Sequence, residues 1–121
     1  MTSLMCLAIV IYMEARGEPL EGQIAVAQVV QNRVQSHRHP DDICDVAQQP
    51  HQFAWDRRAL PHPHHYIIAA IVDWLPSLVG DATHFHSGPP PWWAPKMTYI
   101  TRIGGHFFYR EPVSARKKTR Q

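Results

Sequence analysis

A chain of 121 residues with 45% hydrophobic and 18% charged side chains can bury one modest core, which excludes a two-domain, fibrous or disordered protein. Its net charge of +2 is unevenly placed: residues 1–109 carry seven Lys and Arg against nine Asp and Glu, while residues 110–121 carry five against one. The excess sits in a terminal run, SARKKTRQ, expected to be a solvated, flexible tail rather than a grip on nucleic acid, so residues 1–109 are taken as the single domain.

Leu4 to Met13 has no charged or strongly polar side chain, and as a helix it is apolar on every face and belongs in the interior. The run lacks the basic flank and small-residue cleavage site of a signal peptide, and it is too short to span a bilayer, so it is read as structure and no export signal is visible. Glu14 is the first charge it meets. Arg16, Gly17 and Pro19 follow as a cation near the helix end, a residue able to take a left-handed cap, and a stop, which places Glu14 in the last turn. The helix dipole and desolvation both favour the protonated acid there, whereas Arg16 favours the carboxylate, and the sequence does not rank these effects.

A second helix is expected from about Pro19 or Leu20 to Gln35, with Ile24, Ala27, Val30 and Val34 on its apolar face. Gln28, Gln31, Asn32 and Gln35 form the polar side. A short third helix follows from about Asp41 or Asp42 to Gln48, with an aspartate as N-cap. Cys6 in the first helix and Cys44 in the third either pair in an oxidising compartment or serve as small core residues. The stretch Gln52-Phe53-Ala54-Trp55 is an aromatic patch in a polar loop, fit either to pin the loop to the core or to face a sugar.

His64 to Leu75 reads as a buried helix because its apolar run is nearly unbroken, and Pro76 ends it. Beyond Ala82 the pattern turns to β-favouring residues and turn signals, with short strands expected at Thr83–Ser87 and His106–Tyr109. Pro89, Pro90 and Pro91 form a stiff loop between them carrying Trp92 and Trp93. His84 and His86 would share a strand face, with His106 as a third nitrogen for zinc, but no carboxylate or cysteine stands at ligand spacing. No metal and no cofactor is therefore expected, and His62, His64 and His65 are read as surface loop residues.

The blocks IYMEARGEPLEGQIAVAQVVQNRV, VAQQPHQFAW, THFHSG, WWAP and IGGHFFY, in that order, resemble the SleB-type cell-wall hydrolase domain of spore-cortex-lytic enzymes and related bacterial and phage proteins. The likeness runs from about Leu4 to Tyr109, and the first block is its specific part. It implies a mainly α, lysozyme-like α+β domain, helical in front with a small β-element or extended loops behind, that cleaves peptidoglycan glycan strands; the sequence itself leaves the oligomeric state open, with a monomer expected. The glutamate of the EARGE block is the family's single acid/base, here Glu14, with Glu18 ranked second. One carboxyl suffices when the sugar supplies the second reacting group, as in substrate-assisted glycosidases. The likeness also implies a substrate wall of Gln52, Phe53, Trp55, His84, His86, Trp93 and Tyr109, although Phe53 and Tyr109 serve equally as core rings and Trp92 and Trp93 as braces of the proline loop. Family members usually follow an export signal and a wall-binding module. Neither is visible here, so a phage lysis protein or an excised domain is the expectation. The rival reading is a non-catalytic module binding glycan or nucleic acid through its tryptophans and basic tail.

Overall fold

The structure, a computed structural model, describes residues 1–112; residues 113–121, which hold most of the expected basic tail, lie outside it. The order is α1 (Ser3–Ala15), α2 (Leu20–Val34), α3 (Ile43–Ala47), α4 (Pro63–Ile71), β1 (His84–His86), β2 (Thr98–Ile103) and β3 (His106–Arg110). Single tight helical turns occupy Val72–Trp74 and Ala94–Lys96. This is a helical body with one small antiparallel sheet, as expected, and no helix among the described residues is long and apolar enough to cross a membrane.

α1 is the hub of the body because it touches α2, α3 and α4. The Thr2 hydroxyl caps its start by accepting the Met5 N–H at 3.1 Å, and Cys6 to Ile11 are buried without a gap. Val26, Val29 and Val30 of α2 and Phe108 of β3 close around Val10 and Ile11, so one apolar cluster serves both halves of the chain. Asp42 caps α3 through the Asp45 N–H, and Cys6 is joined to Cys44 by a disulfide between α1 and α3. Closing a loop of that length stabilises the fold by about 2–4 kcal/mol.

Four details differ from the sequence reading. α4 is not buried: only His65 and Ile68 of the helix are, while Ile67 and Ile71 are exposed, as is Trp74 just beyond. The helix packs chiefly on α1 and more lightly on α2, so one face is in contact and the other is left to solvent. Gly17 does not take the left-handed cap, since α1 closes on Arg16 in right-handed geometry and the Glu18 N–H bonds to Ala15 O at 2.9 Å. β2 was missing from the expected strands. It pairs with β3 to form the hairpin on which the sheet order β1-β3-β2 depends. The fold also continues past Tyr109, because β3 runs to Arg110 and the Glu111 that follows is buried.

Candidate active site

Glu14 ends α1 half-buried, and its Oε1 accepts the Ala54 N–H at 2.5 Å. That bond ties the carboxyl to the loop that begins Gln52-Phe53. Arg16, expected to compete for it, turns back instead, donating to Tyr12 O at 3.3 Å with its guanidinium 4.7 Å from the Tyr12 ring centroid. Glu18 has a different task. Its Oε1 accepts the Gly105 N–H at 2.7 Å, clamping the turn between β2 and β3 against the start of α2. Gly104 in that turn has φ +58°, and a Cβ there would lie 2.3 Å from Glu18 Oε1, so the turn has room only for glycine.

The loop whose Ala54 N–H holds Glu14 also walls, through Gln52, a groove of about 610 Å³, a volume suited to a small glycan segment. Gln52 stands on its loop side, Phe85 and His86 on its sheet side, and Trp92, Trp93 and Met97 on the proline-loop side. Glu14 does not line this groove itself. Its neighbours connect it: Ala54 follows Gln52 by two residues, and the Phe85 ring packs on His106 at 4.9 Å. Burial lowers the His106 pKa, opposed by the nearby carboxylates of Glu18 and Glu14. No Asp or Glu lines the groove among the described residues.

The expected wall residues separate into three groups. Gln52, His84, His86 and Trp93 share the groove, and Tyr109 joins them by stacking on His86, whose Nε2 lies 3.1 Å from the Tyr109 hydroxyl. Phe53 is 9% exposed and lies beneath, its ring packed on Phe85 and capped by the Arg33 guanidinium at 4.7 Å. Trp55 faces a separate hollow with Met1, Cys44, Gln48 and Arg57.

The histidine trio imagined for zinc does not assemble. Strand alternation puts His84 and His86 on one face of the sheet with Phe107 and Tyr109, and His106 on the other with Phe85 and Phe108. His62, His64 and His65 do cluster, at the start of α4 rather than in a loop. His65 Nδ1 accepts the His62 N–H at 2.9 Å, so in the neutral His65 ring Nε2 carries the proton and neither nitrogen has a lone pair free for a metal.

A family profile described as Cell Wall Hydrolase matches residues 17–109. The chain belongs to the cell wall hydrolase family. Among curated relatives of this family member, the spore cortex-lytic enzyme of Bacillus subtilis is 35% identical over 112 residues, 84% of this chain and 35% of that protein. That of Oceanobacillus iheyensis is 35% identical over 106 residues, 81% of this chain and 38% of its own length. The chain thus spans little more than a third of either relative. Among solved structures, the catalytic domain of the Bacillus cereus SleB protein superposes with a TM-score of 0.81 at 26% identity, covering 89% of both chains. The catalytic domain of the germination-specific lytic transglycosylase SleB from Bacillus anthracis gives 0.82 at 26% identity, covering 89% of this chain and 93% of that one. The lysozyme-like α+β fold is therefore that of this family. The profile match begins three residues after Glu14, so it includes Glu18 and not Glu14.

The sequence reading passed over the polar cluster behind the groove. Arg33 is 3% exposed and donates to Thr83 O at 2.7 Å and to Gln49 Oε1 at 3.0 Å, joining the strand wall to the loop wall. Burial lowers its pKa to about 10, against the pull of Glu111. Burial pushes the Glu111 carboxyl up, but hydrogen bonds from His39 and Thr83 together with the charges of His39 and His84 bring it down to about 2. The His39–Glu111 contact is 2.6 Å. Burial and then Arg33 lower His84 to about 4, so it is neutral near pH 7. The one available signal was Arg33 itself, a lone cation directly after the apolar stretch of α2.

Proposed function

We propose that this chain cleaves peptidoglycan glycan strands between N-acetylmuramic acid and N-acetylglucosamine as a lytic transglycosylase, with Glu14 as the single general acid/base. The supporting observation is a carboxyl, oriented by the Ala54 N–H, that is tied through the Gln52–Ala54 loop to an aromatic groove whose lining holds no Asp or Glu among the described residues. Glu18, the other candidate, is committed to the Gly105 turn. Family membership and the spore cortex-lytic relatives support peptidoglycan as the substrate, and the lytic transglycosylase among the structural neighbours supports the finer reaction.

The chemistry needs two proton transfers. With Oε1 held by Ala54, Oε2 is the oxygen that gives its proton to the glycosidic oxygen as the C1–O bond breaks. The muramic C6 hydroxyl oxygen then bonds to C1, its proton passes to the Glu14 carboxylate, and a 1,6-anhydro ring forms without water. Gln52 supplies amide donors and acceptors to the sugar, while the Trp93 and His86 rings offer faces to its C–H surfaces. In this reading the enzyme works as a monomer on the bacterial cell wall.

Mass spectrometry of products from purified peptidoglycan tests the reading. Products one water lighter than hydrolytic fragments are expected. The hydrated product would make the same site a muramidase, and release unchanged in Glu14→Gln would overturn the role of Glu14.

A further inference from the structure

The outer face of the sheet extends beyond the groove. Tyr99 of β2 stands opposite Tyr109 there, and Arg102 stands opposite Phe107. The Arg102 guanidinium lies 5.0 Å from the Phe107 ring centroid, and Phe107 stacks on His86 at 5.2 Å with the rings inclined by 14°. Arg102, Phe107 and His86 thus form one row crossing all three strands and ending in the groove wall. Arg102 Nε donates to Gly104 O at 3.0 Å, which fixes the plane of the fork. Its two terminal nitrogens have no protein partner among the described residues, and none of the strand residues on this face is acidic. A planar cation seated on a ring, with two outward NH₂ groups, is built to take a carboxylate edge-on.

Bare sugar rings give such a fork little to hold. A peptidoglycan strand does, because each muramic acid bears a lactyl group extended by a peptide stem with free carboxylates. We propose that Arg102 on Phe107 is a carboxylate subsite that receives the acidic peptide stem of the strand whose sugars occupy the groove, which makes the protein selective for stem-bearing glycan. This rests on the peptidoglycan reading above. Removing the stem with an amidase exposes the lactyl carboxylate next to the sugar, so the two carboxylate sources are separable.

The experiment compares kcat/KM on stem-bearing strands and on amidase-stripped strands for the parent, Arg102→Gln and Arg102→Lys. The parent should prefer stem-bearing strands, and the ratio between substrates should fall roughly tenfold in Arg102→Gln, with Arg102→Lys between the two. Equal losses on both substrates, or no loss, would overturn the subsite. Calorimetry of Glu14→Gln with a soluble disaccharide tetrapeptide and with the same disaccharide lacking its peptide gives a readout independent of cleavage. Binding that needs both the peptide and Arg102 while the parent cleaves neither strand would sink the reaction and keep the subsite; peptide-independent binding would sink the subsite alone.

Discussion

The helical half and the sheet half each have a buried interior, but the two are held by different forces. In α1 and α2 the interior is aliphatic, from Val10 and Ile11 to Val29 and Val30, and the helices satisfy their own backbone groups. Around β1 and β3 the interior includes Arg33, Thr83 and Glu111, whose polar atoms are matched largely by groups distant in the chain. Apolar contacts are individually small and forgiving, whereas a buried charge depends on each of its few partners. The groove lies on the second kind of structure, and the proposed acid, Glu14, stands on the first. Chemistry and stability should therefore respond to different substitutions.

The largest contrast is expected at the two glutamates. Glu14→Gln should lower muropeptide release by about 10²–10⁴-fold, measured on purified peptidoglycan, while leaving the thermal midpoint nearly unchanged. Glu18→Gln should show the reverse, a clear loss of stability with activity retained in the folded fraction. A Glu18 variant that is stable and inactive would exchange their roles.

Next is the sheet half's dependence on Arg33. Arg33→Met removes the donors to Thr83 O and Gln49 Oε1 and the cation that Glu111 faces, and should cost about 3–5 kcal/mol in urea unfolding, whereas Ile11→Val in the helical half should cost only about 0.5–1.5 kcal/mol. Similar values for the two would erase the distinction. Gly104→Ala forces an L side chain into a left-handed backbone and against Glu18, and should cost at least about 1–3 kcal/mol by the same assay.

The smallest effect is a pH slope belonging to the sheet half. His84 has its folded pKa lowered to about 4 from 6.5, so the unfolded chain binds more protons between those values and stability should fall as pH drops from 6.5 to 4. Glu111, lowered to about 2 from 4.5, adds a further loss as pH falls below 4.5. His65, lowered to about 4 by burial and then by His64 and His62, gives the helical half a share of the first window. His84→Asn should flatten the slope above pH 4.5 by about 1–3 kcal/mol without abolishing it, read from urea midpoints across pH.

The polar stripe of α2 shows where reading the chain alone falls short. Gln28, Asn32 and their neighbours look like a solvated face. In the fold Gln28 is buried, bonding Pro76 O and the Leu78 N–H, both at 2.9 Å, while Asn32 donates to Gly80 O at 2.9 Å and Ala82 O at 2.8 Å. The stripe fastens the loop that leads into β1. An amide side chain looks the same in a helix whether water or a distant carbonyl answers it, so periodicity could not tell the two apart. Trp55 and Trp93 were equally indistinguishable as aromatic loop residues, and only the path of the loops sends one to the groove and the other away.

Local physics, written into the sequence, determined the apolar helix that ends at Glu14, the breaker run after it, the second amphipathic helix and the ordered blocks of its family. These follow from neighbours three or four residues apart, where side-chain period and capping chemistry act directly. Tertiary structure alone decided that Cys6 meets Cys44, that Glu18 is tied to a turn 87 residues away while Glu14 is tied to the loop whose Gln52 walls a groove, and that Arg33 joins the groove's two walls. Each of those outcomes is a pairing between distant segments, and its energy exists only once the chain has closed on itself.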